Sequence, residues 1–288
     1  MIRMMFTVLA GALAVAVGTW PEASAQEVAR GDGLRIGMLG SGSAVDGASA
    51  IERAYSQALG MPVTVFAAPD FPTLIEAQVR SDIDYAIYTA GAYAVAWKLC
   101  GCIDPLVAPS ARDGANGAKA VLIRRKGATA PDAPDMAAGP RGAVGVLAIA
   151  DKRGGANNKP LETATASEAE RSFVAGETQE LLGWVLDRPI GGPDLSSGTL
   201  GRLAAAGVDA QQFEIVWTSE TLRFGPHAVR NDLPDDLKAR LRDFLVNLKL
   251  TEPDLYEYLE TERQGGFVRV SPDDYAPAVA LVEAILKQ

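Results

Sequence analysis

A short turn of glycine and serine follows an apolar segment near the start of the chain. Leu34 to Leu39 is followed by the turn Gly40-Ser41-Gly42-Ser43, and Ala48 to Leu59 then has helical spacing of its apolar residues. Backbone amides at the start of a helix attract anions, so Ser41 and Ser43 are candidate ligand contacts. Any tight strand-to-helix turn also needs glycine, and the spacing is not that of a Walker loop or a dinucleotide fingerprint.

A second group of polar side chains follows another predicted strand. Ile83 to Tyr88 is predicted to be a strand and Ala92 to Leu99 a helix, with Thr89 and Tyr93 at the junction. Ligands of parallel α/β sheets lie beyond the carboxyl ends of the strands. Tyr88, Thr89 and Tyr93 are therefore candidate ligand contacts, and the alternative for the two tyrosines is aromatic packing.

A charged pair lies further along the chain. His227, the only histidine, follows Arg223 by four residues, at the start of a segment predicted to cross between two parts of the fold. Both are candidate ligand contacts, because hydrogen bonds from charged donors are the stronger ones. A lone histidine is more often structural, and it leaves little scope for a histidine-based catalytic triad.

The chain has two cysteines, Cys100 and Cys102, separated by one glycine. Export would permit their oxidation, and we predict a local disulfide, although a bridge across one residue closes a tight ring. A redox role is the alternative. A zinc site would need further ligands at a recognised spacing, and no metal or other cofactor is predicted.

The N-terminal region has the layout of a secretory signal. Arg3 is followed by an apolar stretch from Met4 to Val17 and by the small residues Ala23-Ser24-Ala25. The apolar stretch is shorter than the roughly 20 residues that a membrane span needs. We predict a signal peptide over residues 1–25, cleavage after Ala25 and a periplasmic protein without a lipid anchor.

The balance of charges argues against a nucleic-acid partner. Twenty-seven basic and 36 acidic residues give a net charge of −9, whereas nucleic-acid binding is dominated by neutralised phosphates. A small anionic ligand remains compatible with this charge, because a few local donors can outweigh the average field. The sequence contains neither a Gly-x-Ser-x-Gly elbow nor a His-Glu-x-x-His motif, so an enzyme is not expected.

Strands and helices alternate along the first half of the chain, which predicts an α/β fold with mostly parallel sheets flanked by helices. The residues that follow the predicted signal are too many for one compact core of ordinary size, so two lobes are expected. A connection rich in Pro, Gly and Ala over Gly127 to Gly142 precedes a further predicted strand at Ala143 to Ile149.

Three segments carry a resemblance to a known family. They are Phe71 to Ala96 (FPTLIEAQVRSDIDYAIYTAGAYAVA), Trp217 to Leu233 (WTSETLRFGPHAVRNDL) and Gly265 to Val279 (GGFVRVSPDDYAPAV). In order and spacing the chain resembles the phosphate/phosphonate-type periplasmic substrate-binding proteins of ABC transporters. The resemblance implies a two-lobed type II periplasmic-binding fold with the ligand in the cleft. One lobe would comprise residues 26–120 and 227–288, and the other residues 121–226.

The sequence departs from this family at one loop. The family usually has a Ser-x-Ser-Gly loop that holds phosphonate oxygens, whereas the matching stretch here is Ala150 to Pro160 (ADKRGGANNKP). Asn157 and Asn158 are candidate donors through their side-chain amides. A carboxylate, a sulfonate or another small polar ligand therefore stays open beside phosphate and phosphonate.

The resemblance implies a monomeric receptor that captures a small oxyanion by lobe closure and delivers it to an ABC permease in the inner membrane. The alternative is a periplasmic sensor or scaffold of the same fold that signals to a membrane partner. Both roles need ligand-driven closure, so the sequence does not separate them.

Overall fold

The computed structural model describes residues 33–40, 47–128, 168–261 and 263–286. The predicted signal peptide and the predicted strand at residues 143–149 lie outside these residues. So do four candidate ligand contacts, Ser41, Ser43, Asn157 and Asn158.

The described chain contains strands and helices in alternation over its first third. The strands are β1 (Leu34–Leu39), β2 (Val63–Ala68), β3 (Tyr85–Ile87), β4 (Ile103–Ala111), β5 (Gly117–Arg125), β6 (Glu180–Arg188), β7 (Gly192–Asp194), β8 (Phe213–Thr218), β9 (Leu222–Arg223), β10 (His227–Arg230) and β11 (Gln264–Arg269). The helices are α1 (Ala48–Leu59), α2 (Phe71–Val79), α3 (Ala90–Cys100), α4 (Glu168–Ala175), α5 (Gly198–Ala205), α6 (Asp235–Thr251), α7 (Pro253–Leu259) and α8 (Ala276–Leu286).

Among the described residues, six strands form the first sheet, in the order β11-β4-β10-β3-β1-β2. β1 pairs in parallel with β2 and with β3, as expected for strands joined by helical crossovers. β10 pairs antiparallel with β3 and β4, and β11 pairs antiparallel with β4. The chain re-enters this sheet along β10, which therefore runs in the direction opposite to β3.

The second sheet has the order β7-β6-β5-β8, and β9 also pairs with β5. All of these pairings are antiparallel. The α/β, two-sheet fold class is confirmed, but the expectation of a mostly parallel sheet in each lobe is wrong for the described residues. The physical reason is that the chain enters the second sheet along β5 and leaves it along β8 and β9. These neighbouring strands therefore run in opposite directions.

Two segments of chain connect the sheets. One runs from Ala111 to Gly117, and the other from Arg223 to His227. They touch, because the Phe224 amide donates to the Asn116 carbonyl at 3.1 Å. The chain passes from one sheet to the other at these two segments, as a two-lobed arrangement requires. The lobe bounds at residues 120 and 227 stay a prediction.

Three clusters of buried apolar side chains support the sheets. One packs α1, α6 and α7 against the first sheet, and a smaller one packs α4 and α5 against the second. The third, which we call the inter-sheet cluster, joins side chains of α2, α3 and α8 to side chains of β5, β6 and β9. The inter-sheet cluster is therefore where the two sheets bury apolar surface against each other. None of the described helices has both the length and the apolar character that a membrane crossing requires.

Helix α6 owes its position to one apolar face. Leu237, Leu241, Leu245 and Leu248 recur at helical spacing and are all buried in the first-sheet cluster. Leu250 lies on the opposite face of the same helix and is 83% exposed.

The two leucines give a matched test of this packing. Leu245→Ala should lower the free energy of unfolding by about 2–5 kcal/mol, because it leaves a cavity in a close-packed core. Leu250→Ala makes the same chemical change on the exposed face and should alter it by less than about 0.5 kcal/mol. Urea unfolding of both variants measures this. Equal losses would contradict the packing described for α6.

Candidate functional site

Tyr93 is positioned by the start of α3. Thr89 precedes this helix in an extended conformation, and its hydroxyl accepts a hydrogen bond from the Ala92 amide at 3.1 Å. This side-chain cap satisfies one of the amides that a helix leaves without a partner at its N-terminus. Ala90, Gly91 and Ala92 keep the first turn narrow, so Tyr93 is the first large side chain of the helix.

The Tyr93 ring is buried, and its hydroxyl is buried with it. The ring packs on Tyr275 with centroids 4.7 Å apart, and the side chain is 1% exposed. No described residue forms a hydrogen bond with the hydroxyl. Burial, and to a smaller extent the charge of Asp104, raises the pKa of Tyr93 above its ordinary value. The phenol therefore stays protonated at neutral pH and is able to donate a hydrogen bond.

A second buried donor comes from the other sheet. Trp184 on β6 is 2% exposed, and no described residue accepts a hydrogen bond from its indole Nε1. Its backbone amide is occupied, since it donates to the Thr199 hydroxyl at 3.1 Å. An unpaired buried donor costs roughly 1–3 kcal/mol, and such groups are few in folded proteins.

Tyr93 and Trp184 belong to the same inter-sheet cluster. One comes from the helix that follows β3 in the first sheet, and the other from the second sheet. Two other hydroxyls of this cluster have partners: that of Tyr88 lies 3.5 Å from the Leu74 carbonyl, and that of Tyr275 donates to the Phe224 carbonyl at 2.7 Å. Chemically, each of the two residues offers one neutral hydrogen-bond donor.

Arg223 lies on β9, beside the second connection between the sheets. Its side chain is 15% exposed, and its Nε lies 3.6 Å from Asp274 Oδ1. That distance makes an ion pair but exceeds the limit for a hydrogen bond. Asp274 already caps a short 3-10 helix, Pro272–Tyr275, through Ser271. The predicted ligand contact of Arg223 therefore has to compete with an acidic neighbour.

His227 is placed in the core of the first sheet. It is fully buried, its Nδ1 is hydrogen bonded to the Tyr85 hydroxyl, and its ring packs edge-on against Phe267. The Tyr85 hydroxyl is also 3.2 Å from that of Tyr55. These contacts favour a structural role, while the predicted ligand contact of His227 stays a prediction.

The remaining candidates have local partners. Tyr88 is 1% exposed and its hydroxyl is 3.5 Å from the Leu74 carbonyl; burial raises its pKa. Its amide donates to the Pro226 carbonyl at 3.0 Å, so Tyr88 ties β3 to the second connection. Cys100 and Cys102 are joined in a disulfide at the C-terminus of α3, with Gly101 between them in a left-handed conformation.

Two arginines of this region are held by carboxylates. Arg202 pairs with Glu170, and its guanidinium lies 5.5 Å from the Trp184 ring centroid. Arg263 pairs with Glu260, and its guanidinium lies 4.0 Å above the Phe224 ring. Their charges are largely compensated within the fold. No group of three or more His, Cys, Asp or Glu side chains among the described residues is arranged to hold a metal ion.

Of the two buried donors, Tyr93 is among the ligand contacts predicted from the sequence, and Trp184 is not. Tyr93 is signalled by its place at the start of a helix after a strand. Trp184 has a weaker signal, because an aromatic residue in an apolar strand is usually core packing. The burial of Trp184 and the lack of a described partner for its Nε1 depend on tertiary contacts, which the local sequence does not show.

Comparison with known proteins concerns the fold and the family resemblance. Residues 194–275 match the family model described as "ABC transporter, phosphonate, periplasmic substrate-binding protein". No match was found among curated proteins. The matched residues include β8, β9, β10 and the connection between the sheets that runs through Phe224.

One protein of known structure, solved with two different ligands, shares the fold at low sequence identity. XAC2383 from Xanthomonas citri bound to ATP is 13% identical, with a TM-score of 0.52 over 89% of this chain and 98% of its own. The same protein bound to chloride gives 13% identity and a TM-score of 0.51 over 88% and 98%. A binding protein component of an ABC phosphonate transporter from Pseudomonas aeruginosa is 19% identical, with a TM-score of 0.43 over 85% and 84%. The predicted resemblance to phosphate/phosphonate-type periplasmic substrate-binding proteins is confirmed over residues 194–275, and the predicted α/β fold, with two sheets and flanking helices, is confirmed.

Proposed function

We propose that this protein is a periplasmic solute-binding receptor of an ABC importer, which captures a small oxyanion by closing its two lobes. One observation carries the proposal. Tyr93 and Trp184 come from different sheets, lie in the same buried cluster, and each has a polar donor atom without a partner among the described residues. A ligand that accepts from both would be held by both lobes at once.

The connections between the sheets support closure as the mechanism. Two short segments join the lobes, and they are hydrogen bonded to each other through Asn116 and Phe224. Hinges of this kind are a few residues between rigid bodies that absorb changes in φ and ψ. Ligand-driven closure then needs only that the ligand bind the closed form better than the open form.

The donors favour an acceptor-rich ligand. A protonated phenol and an indole N–H both donate, and hydrogen bonds to a charged acceptor are worth about 1.5–3 kcal/mol each. Oxyanions present several such acceptors in a small volume. The phosphonate description of the matching family model points the same way. We therefore place phosphate- and phosphonate-like anions first among ligand classes.

The rest of the assignment follows from this role. A receptor binds and releases its ligand unchanged, so the proposal includes no catalysis, no metal and no cofactor. Its partners are the ligand and an ABC permease in the inner membrane, and it acts in the periplasm as a monomer after removal of residues 1–25.

A ligand screen tests the proposed class. Small oxyanions, including inorganic phosphate, methylphosphonate, methanesulfonate and acetate, should raise the melting temperature, because any molecule that binds the native state stabilises it by mass action. Neutral sugars and simple amines serve as controls. A shift by the controls alone would contradict the oxyanion assignment.

Tyr93→Phe should separate stability from binding. It removes a buried hydroxyl without a described partner, so the ligand-free protein should keep its free energy of unfolding or gain up to about 1 kcal/mol. Affinity for the best oxyanion of the screen should fall about tenfold, because the ligand loses a donor. Urea unfolding and calorimetry measure the two effects.

Tyr85→Phe is the matched control for the same atom change. It removes a buried hydroxyl that is bonded to His227, so the free energy of unfolding should fall by about 1–3 kcal/mol while affinity changes less than twofold. If Tyr93→Phe destabilised the protein as Tyr85→Phe does and left affinity unchanged, Tyr93 would be a structural residue and the site would lie elsewhere.

Arg223 tests whether the hinge contributes a charged donor. Arg223→Ala should weaken binding at least about tenfold, equivalent to 1.4 kcal/mol, if its guanidinium turns from Asp274 to the ligand on closure. Asp274→Asn removes the competing charge and should leave affinity unchanged or increase it. Lys249→Ala, a change on the exposed side of α6, is the control. Calorimetry showing full affinity in Arg223→Ala would remove Arg223 from the site.

A further inference from the structure

We infer that Trp184 is a specificity-determining ligand contact, whose indole Nε1 donates to an acceptor atom of the bound molecule from the side of the second sheet. The inference rests on the proposed function, since it assigns a residue to the same cleft. From the sequence, Trp184 and Trp217 both end apolar strands and could line the cleft, with core packing the favoured interpretation; burial and an unpaired donor distinguish Trp184.

The indole is on the face of β6 that meets the first sheet. Along this strand Leu182, Trp184 and Leu186 pack in the inter-sheet cluster, while Leu181 and Val185 pack with α4 and α5 beneath the second sheet. This alternation follows from the period of two in a strand. Trp184 therefore lies on the side of the second sheet that contacts the first.

The ring is held in place before any ligand arrives. A Cβ at Gly198 would lie 2.7 Å from Trp184 Cε3 and 2.3 Å from the Trp184 carbonyl oxygen, so the first turn of α5 abuts the indole closely. Gly198 also has a φ of +55°, which a side chain rarely adopts. On the same helix the Arg202 guanidinium, paired with Glu170, lies near the ring.

A donor fixed in this way loses little conformational freedom on binding. Affinity depends on such costs as much as on the contacts made, so a preorganised indole is an efficient ligand group.

Because Nε1–H donates and does not accept, it selects an acceptor oxygen and disfavours a ligand that presents an N–H there. Leu182 and Leu186 on the same face favour an apolar group beside that oxygen. The ligand class is an organic molecule with an exposed anionic oxygen next to a small apolar part.

The test measures binding of methylphosphonate, methanesulfonate and acetate by calorimetry. Trp184→Phe keeps an aromatic ring and removes the donor, so it should weaken binding of the tightest probe about tenfold. Trp217→Phe is the matched control: Trp217 is half-buried, packs against the same cluster from β8 and should change affinity less than twofold.

Nuclear magnetic resonance of the unmodified protein supplies a second readout that does not depend on the folding of a variant. Indole ¹H–¹⁵N signals are assigned through Trp217→Phe and a Trp97→Phe variant. On saturation with the tightest probe, the Trp184 N–H signal should move downfield and exchange more slowly with solvent, while that of Trp97 stays in place.

The outcomes separate the two proposals. Binding by the wild type with unchanged affinity in a folded Trp184→Phe, or a Trp184 signal that does not move at saturation, would overturn this inference, whereas the measured binding would still support a receptor that holds its ligand at other residues. Absence of binding by the wild type to all three probes and to inorganic phosphate would contradict the receptor function and this inference together.

Discussion

The structure depends on the apolar contact between the two sheets, and this contact also contains polar groups. The inter-sheet cluster joins α2, α3 and α8 to strands of the second sheet, and burial of that surface favours the closed arrangement at roughly 25 cal/mol per Å². Tyr93 and Trp184 place unpaired donors in this contact, which opposes closure. In the proposed receptor, closure without a ligand is penalised, and a ligand that accepts from both donors removes the penalty. This balance is how the proposed function would make closure depend on a small molecule.

The fixed charges around this contact are arranged to stay neutral. Arg202 and Arg263 lie over aromatic rings, and each is paired with a carboxylate from its own part of the fold. Breaking such a buried pair would leave an uncompensated charge, at a cost of roughly 3–5 kcal/mol. These pairs therefore position rings and backbone, and in the proposed receptor the neutral donors contact the ligand. The arrangement is compatible with an acidic chain that binds an anion, because local donors and not the net charge decide the interaction.

Much of this could be predicted from the sequence, where the signal is local. The β-α alternation of residues 34–100, the strand-to-helix junction at Thr89 and the apolar face of α6 follow from patterns of a few residues. The antiparallel second sheet could not be predicted, because its pairings join β5 to strands that lie about 60 to 100 residues later in the chain. The same holds for the partners of Arg223 and His227: Asp274 and Tyr85 are brought to them by the path of the chain. Trp184 illustrates the limit, since its sequence context reads as ordinary core.

The central claim is that Tyr93 and Trp184 hold one ligand between the two sheets. A crystal structure of the protein with the oxyanion that binds most tightly tests it directly. The account predicts ligand acceptor atoms at hydrogen-bond distance, about 2.7–3.2 Å, from both Tyr93 Oη and Trp184 Nε1. A ligand bound away from both atoms, or both atoms still without a partner in the occupied protein, would contradict it.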